Sequence, residues 1–413
     1  MSKAVPEDLE RTPLTIGEEP VVEAAPRRAP LTPGEWVRRN LFSTWANGAL
    51  TLVTGAVVLY VAFRLLRFVF VTADWAVLKA NLRVYMVGRF PLEETGRVWA
   101  VAYVLVALAG LSRGVMPPAR RTRLGIVLRA LLALLVIGAL AYLIESGLVW
   151  LLLGVGVALY IAAVVVGRRM GRRLRLPLLV GWLLAFPVVI LLLRAFGGVA
   201  TEEWGGLLLN VMVAVVAIAL SFPLGILLAL GRRSSLPVIS KFCVGFIELV
   251  RGVPLVTLLI FGRFVLILLL PPGLSLPQII RSMFMFTIFS SAYVAEIVRG
   301  GLQGVPAGQY EAARALGLST SRTMALIALP QALRSTIPAM IGHFISVFKD
   351  TSLLAALGFS ELLSNARRAS AAIEFVGRQP EALLPAAVIF WVIAFSMSRW
   401  SQRVERRVGV GER

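Results

Sequence analysis

The sequence predicts an all-α polytopic membrane protein of about ten transmembrane helices, and three observations predict it. Of its 413 residues, 58% are hydrophobic and 15% charged, with mean hydropathy +0.83, a balance foreign to a water-soluble domain. Runs of about 20 apolar residues, enough for a helix to cross a hydrocarbon core roughly 30 Å thick, recur through most of the chain. Most Lys and Arg clusters lie between those runs, where short cytoplasmic loops hold them.

The net charge of +20 and pI near 11.4 therefore belong to membrane topology. No basic stripe interleaved with aromatics is present, as single-strand binding would require, so no nucleic-acid partner is expected. A lone cysteine, Cys243, and a lone histidine, His343, leave no intrachain disulfide and no Cys/His metal site. No cofactor is expected either. An intramembrane hydrolase would need a converging nucleophile and base, which scattered serines and one histidine do not offer.

Taken in order, residues 1–40 carry charges and Pro6, Pro13, Pro20, Pro26, Pro30 and Pro33 without an apolar stretch near the start. They predict a disordered cytoplasmic tail with no cleavable signal peptide. Arg38 and Arg39 keep it inside, before a first span near 45–63. A mixed segment at about 72–95, with Lys79, Arg83 and Arg89, falls outside, and a second span near 96–112 returns the chain. Arg113, Arg120, Arg121 and Arg123 mark an inner loop. Spans near 124–144 and 147–166 form a hairpin around Glu145, and the basic run from Arg168 to Arg175 is again inside. A fifth span near 176–196 reaches Glu202 and Glu203 outside, and a sixth near 206–230 returns to Arg232 and Arg233. Spans near 252–271 and 279–298 enclose an outer turn from Pro271 to Pro277. After a long inner loop at 300–337, spans near 338–357 and 382–398 end at Arg399, Arg403, Arg406 and Arg407.

Polar, charged and proline residues inside spans concentrate after residue 200. We therefore expect an extension of about five helices at 41–200, a core at 201–405 and a basic cytoplasmic tail at 406–413.

Capping rules divide the inner loop. Pro306 suits a first helical position, and good helix formers follow from Gln309 to Leu316 until Gly317, a suitable residue for a left-handed C-terminal turn. Ser319 or Ser321 can cap a second short helix that Pro330 ends. Glu311 and Arg314 are spaced to pair on one face, with Tyr310, Ala313 and Leu316 or Gly317 toward another. An Ala-rich helix with one acidic handle fits a partner's groove. By pattern alone it fits a membrane surface equally well.

The spacing Glu311-Ala312-Ala313, three residues, Gly317, nine residues, Ile327, one residue, Leu329-Pro330 resembles the EAA loop of ABC importer permeases. The resemblance implies a coupling role for Glu311, Ala312, Ala313, Arg314, Gly317, Ile327, Leu329 and Pro330 against a separate ABC ATPase dimer. The segments Glu248–Leu255, Ala292–Gly301 and Phe348–Leu353 resemble polar amino acid permeases of that family, over roughly residues 200–405. This implies a five-helix permease core that moves amino acids by alternating access in the bacterial inner membrane, fed by a periplasmic binding protein. The five-span extension resembles that of the larger permease in general L-amino acid importers, whose partner is a distinct sister chain, implying a heterodimer. The Gly-x-x-x-x-Gly-Lys-[Ser/Thr] phosphate loop is absent, so ATP chemistry is expected from another subunit.

Within that core, Glu248 with Arg251 and Glu296 with Arg299 are spaced as i, i+3 pairs near inner helix ends. They read either as structural anchors or as charges at the inner mouth. Lys349 and Asp350 lie about 20 Å along a helix that enters near residue 336. With Thr351, Ser352 and His343, which shares a face with Asp350 at i, i+7, they are candidates for lining the passage. A proton-coupled secondary carrier using His343 and Asp350 is the alternative reading.

Overall fold

Thr32 accepts a hydrogen bond from the Glu35 N–H while the Glu35 side chain accepts from Thr32, and Pro33 occupies the first turn. That capping box starts a helix, α1 (Pro33–Leu41), inside what the proline content marks as a disordered tail. The same bonds hold the Glu35 carboxyl below the usual carboxylate range. The computed structural model describes residues 32–115, 146–195, 197–273 and 275–408. Most of the tail at 1–40, the span expected near 124–144 and the last residues of the basic tail lie outside them.

The described chain forms two compact units, dividing between Ala73 and Asp74. The first holds α1 and α2 (Trp45–Arg67), which runs into a π turn at Phe68–Thr72 and buries none of its side chains. The second holds everything after it, so the compositional boundary near residue 200 separates no compact units. The mixed outer segment contains a 12-residue helix, α3 (Ala76–Val87). Next come α4 (Thr95–Val115), α5 (Gly147–Met170) and α6 (Arg175–Arg194).

Glycines set how α4 and α5 meet. A Cβ on Gly110 would lie 2.7 Å from the Ala163 Cβ, and one on Gly114 would lie 2.7 Å from the Gly167 Cα. Gly110/Gly114 and Ala163/Gly167 are two small-xxx-small pairs in parallel register, the pattern that lets helix backbones touch inside a bilayer. Arg97 then donates to the carbonyls of Leu192 and Ala195, satisfying the end of α6.

The remaining α-helices longer than four residues are α7 (Gly206–Arg232), α8 (Pro237–Gly252), α9 (Leu255–Phe264), α10 (Gln278–Gln303), α11 (Ala307–Ala315), α12 (Leu329–Asp350), α13 (Leu362–Ala371) and α14 (Gln379–Val408). The most extensive pairing is α7 against α10, made close by Gly225, where a Cβ would stand 2.5 Å from Val294. α10 packs on α12 in turn, through Gly301 beside Ala332 and Thr336.

The expected span near 252–271 holds α9 and a short helix at Leu266–Leu269, and a sharp bend falls at its first residues. Pro254 forces Val253 into an extended conformation (φ −105°, ψ 132°), and α8 meets α9 at 101°. Among the described residues six helices are long and apolar enough to cross a membrane, or up to eight if each bent pair counts once. α10 is not among the six, its length interrupted by Arg281, Ser282, Glu296 and Arg299. α14 continues helically to Val408, so the basic tail begins as helix.

Candidate functional site

The coupling loop is built by caps. α11 begins at Ala307 with Pro306 as its N-cap, one position earlier than expected of that proline, and ends where Gly317 adopts φ 72°. The Leu318 N–H bonds the Ala313 carbonyl at 3.1 Å and the Gly317 N–H bonds Arg314 at 2.9 Å, a Schellman turn that only a residue free of Cβ strain closes comfortably. Ser319, not Ser321, caps the next helix by accepting from the Arg322 N–H.

That second helix does not stop at Pro330. It passes from Thr320–Thr323 through a π turn at Met324–Ala328 straight into α12. Pro330 falls in the first turn of α12, where the change of hydrogen-bond register leaves no need for its missing N–H.

Ala313 is buried against this elbow with Ala328, while Tyr310 donates to the Leu302 carbonyl and Gln331 donates to Gln309. Ile327 and Leu329 are half-buried behind it, and Pro330 is exposed. The opposite face carries Glu311, Ala312, Ala315 and Leu316, all exposed, with Leu316 at 78%. The expected Glu311–Arg314 pair is not formed: Arg314 bonds the Tyr310 carbonyl, and among the described residues Glu311 makes no ion pair.

Beside the elbow lies a charge cluster that the i, i+3 spacing only partly captured. Glu296, its side chain 15% exposed, receives Arg232 at 2.6 Å, Arg299 at 2.9 Å and Arg251 at 3.6 Å. Glu248 pairs with Arg232 at 3.4 Å and not with Arg251. The reason is geometric, since the ends of α7, α8 and α10 converge here and offer Glu296 and Glu248 partners from other helices. Arg251 also lies over the Tyr293 ring, 5.6 Å from its centre.

Tyr293 leads inward. His343 stacks on it at 5.4 Å and 13°, and the His343 Nε2 is 2.9 Å from the Ser290 Oγ, which donates to the Ser221 Oγ at 2.8 Å. A polar line therefore joins α7, α10 and α12 above the charge cluster. Ser221 and Ser290 are fully buried, and nothing but their place in apolar helices marks them in the sequence. Lys349 is exposed, Asp350 and Ser352 half-buried, and Thr351 buried. Thr351 donates to the Phe348 carbonyl and accepts from Asn210.

A second buried network at the opposite end of α7 went unnoticed in the sequence. Asn210 and Glu361 are both fully buried. Asn210 donates to Glu361 at 3.1 Å and accepts from the Leu362 N–H, while Glu361 caps α13 through the N–H groups of Leu363 and Ser364. Buried polar groups need such partners, and an Asn and a Glu interrupting apolar stretches were the available signal. Among the described residues no cluster of His, Cys, Asp and Glu could hold a metal ion.

Long apolar helices joined by an exposed, acidic elbow make this a membrane protein with a helical loop outside its spans. Residues 221–410 match the family described as binding-protein-dependent transport system inner membrane component. The chain is 37% identical over 384 residues to the inner membrane amino-acid ABC transporter permease protein YhdY of Escherichia coli K12, covering 91% of this chain and 93% of that one. It is 34% identical to the glutamate/glutamine/aspartate/asparagine transport system permease protein BztC of Rhodobacter capsulatus, over 93% of this chain and 96% of that one. The probable glutamine ABC transporter permease protein GlnP of Bacillus subtilis is 34% identical over 49% of this chain and 92% of its own. The chain belongs to the family of amino-acid ABC transporter permeases, multi-pass proteins of the inner membrane. These relatives are named as transport permeases.

Proposed function

We propose that this chain is the membrane-spanning permease of an ABC importer that carries polar L-amino acids by alternating access, with ATP hydrolysed on a separate ATPase dimer. The observation that carries this is the free face of α11, where exposed Glu311 and Ala312 sit on a helix whose other face is locked to α12. A push on that face is passed on because the chain runs as helix from Thr320 to Asp350 without a break. The permease core is taken as 201–405, with 41–200 as its extension.

In this reading the arginines around Glu296 close the inner mouth, and movement of α12 against α10 redistributes them. His343, Lys349, Asp350 and Ser352 line the passage, and Thr351 steadies it from behind. The solute class is supported by the names of the full-length relatives. A sister permease completes the pathway as a heterodimer, and a periplasmic binding protein delivers the solute. The names of the full-length relatives, one of them an ABC transporter permease, favour ATP coupling over a proton-coupled carrier.

Reconstitution with the ATPase, the sister chain and the binding protein tests the reading. Amino acid uptake into proteoliposomes is expected to require all of them, and Glu311→Ala is expected to reduce ATPase co-purification and uptake together, by about tenfold or more. Uptake that persists without the ATPase, or carries only sugars or metal ions, would overturn it.

A further inference from the structure

The helix α3 lies outside the family-matched region 221–410, yet it is among the better buried elements of the molecule. Val77 and Tyr85 are 0% exposed and pack with Leu362, Ala366 and Ala369 of α13 and Ala382 and Ala386 of α14. The Tyr85 hydroxyl donates to the Ala382 carbonyl at 2.9 Å, across 297 residues of sequence. From α13, the Asn365 side chain donates to the Val84 carbonyl at 2.8 Å.

At the end of α3 the backbone itself is the contact surface. Gly88 has φ 66°, and a Cβ there would stand 2.5 Å from the Gly205 Cα. Gly206, with φ 56°, gives its N–H to the Ser360 carbonyl at 2.7 Å and forms a parallel bridge with Glu361. At the other end of α3, Asp74 pairs with Arg378, at the start of α14. This short helix and its two flanking residues thus touch the start of α7, α13 beyond Glu361 and the start of α14.

These contacts adjoin the buried Asn210–Glu361–Thr351 network. Glu361 has hydrogen-bond donors but no cation among the described residues, so its carboxylate depends on that geometry for its stability. An isolated 12-residue helix would be marginal; docked in this seat it is part of the core.

We propose that α3 is an intrachain clamp of the permease: it fixes the outer segment from Ser360 to Arg378 against α7 and α14 throughout the transport cycle, with Tyr85 and Gly88 as its positioning residues. The outer end of this subunit then stays fixed while the inner end, 27 residues of α7 away or about 40 Å, responds to the ATPase. The inference rests on the permease reading, and wild-type uptake in the same vesicles reports separately on that reading.

The test uses the full chain with its partners and a Cys243→Ala background, which removes its only cysteine. Asp74→Cys and Arg378→Cys are joined by a short bis-maleimide; both side chains are partly exposed. A static clamp predicts uptake within about twofold of the uncross-linked protein and ATP hydrolysis still stimulated by the binding protein. Tyr85→Ala and Gly88→Val, which remove the seat, are expected to lower uptake about tenfold while ATPase co-purification persists. Tyr85→Phe, which keeps the ring and loses one bond, is expected to recover most of it. If Gly88→Val does not fold, the cross-link and the two Tyr85 variants decide. Uptake abolished by the cross-link would show that α3 and Arg378 must separate, and normal uptake by Tyr85→Ala would show that the seat is dispensable; either overturns the proposal.

Discussion

Single residues show how far charge can be placed in this molecule. Glu296 is enclosed by guanidiniums from three positions, so neutralising it leaves cations facing one another. Glu296→Gln is expected to destabilise the detergent-solubilised protein by about 2 kcal/mol, read as a lower thermal midpoint. Glu248, more exposed and held by a single 3.4 Å contact, is expected to cost under about 0.5 kcal/mol as Gln. Asn210→Leu withdraws donor and acceptor together from buried Glu361 and the Leu362 N–H. A loss of about 2–3 kcal/mol in the same assay is expected. The sequence showed Glu296 and Arg299 because helix periodicity relates them. Arg232, 64 residues away, and the Asn210–Glu361 bond across 151 residues follow no local spacing, so only the folded chain reveals them.

Among elements, caps were the readable part. Gly317 was legible as a turn and Ser319 as a cap, because both signals act within four residues and owe nothing to packing. Gly317→Ala must bear φ 72° with a Cβ, an expected cost of about 1 kcal/mol. It should lower coupled ATP hydrolysis more than it lowers the thermal midpoint. Prolines were harder to read. Pro330 looked like a terminator and is absorbed by a π turn, whereas Pro254, at the start of an expected span, sets α9 at 101° to the helix before it. The difference lies in neighbours: α12 offers a continuing helix with packed partners, while Leu255 and Leu259 are drawn to the core under a new axis. At the α4–α5 seam, Gly114→Leu would push a branched side chain into the Gly167 backbone. We expect destabilisation of about 2–3 kcal/mol by thermal denaturation.

At the scale of the whole molecule, hydropathy made the class legible, since a bilayer imposes long apolar helices on any sequence that crosses it. Contacts between distant segments were not: Tyr85, Phe90, Val101, Val189 and Leu193, all before the composition change near residue 200, are buried in the same clusters as residues after it. Composition records what a helix is made of and not what it rests on. α2 is the converse case, apolar all round and burying nothing. Recasting its lipid-facing side chains as Leu and Ala at constant length is expected to leave uptake within about twofold, measured in proteoliposomes beside wild type.

The close approach of α4 and α5 also has an evolutionary consequence. With backbone against backbone at Gly110, Gly114, Ala163 and Gly167, the four positions share one fixed volume. A lineage that enlarges one of them must shrink the residue opposite or lose the pair. Drift at this seam is therefore expected to proceed by paired exchanges, and an ancestral series of such chains would preserve smallness there in register while the lipid-facing residues of the same two helices change freely.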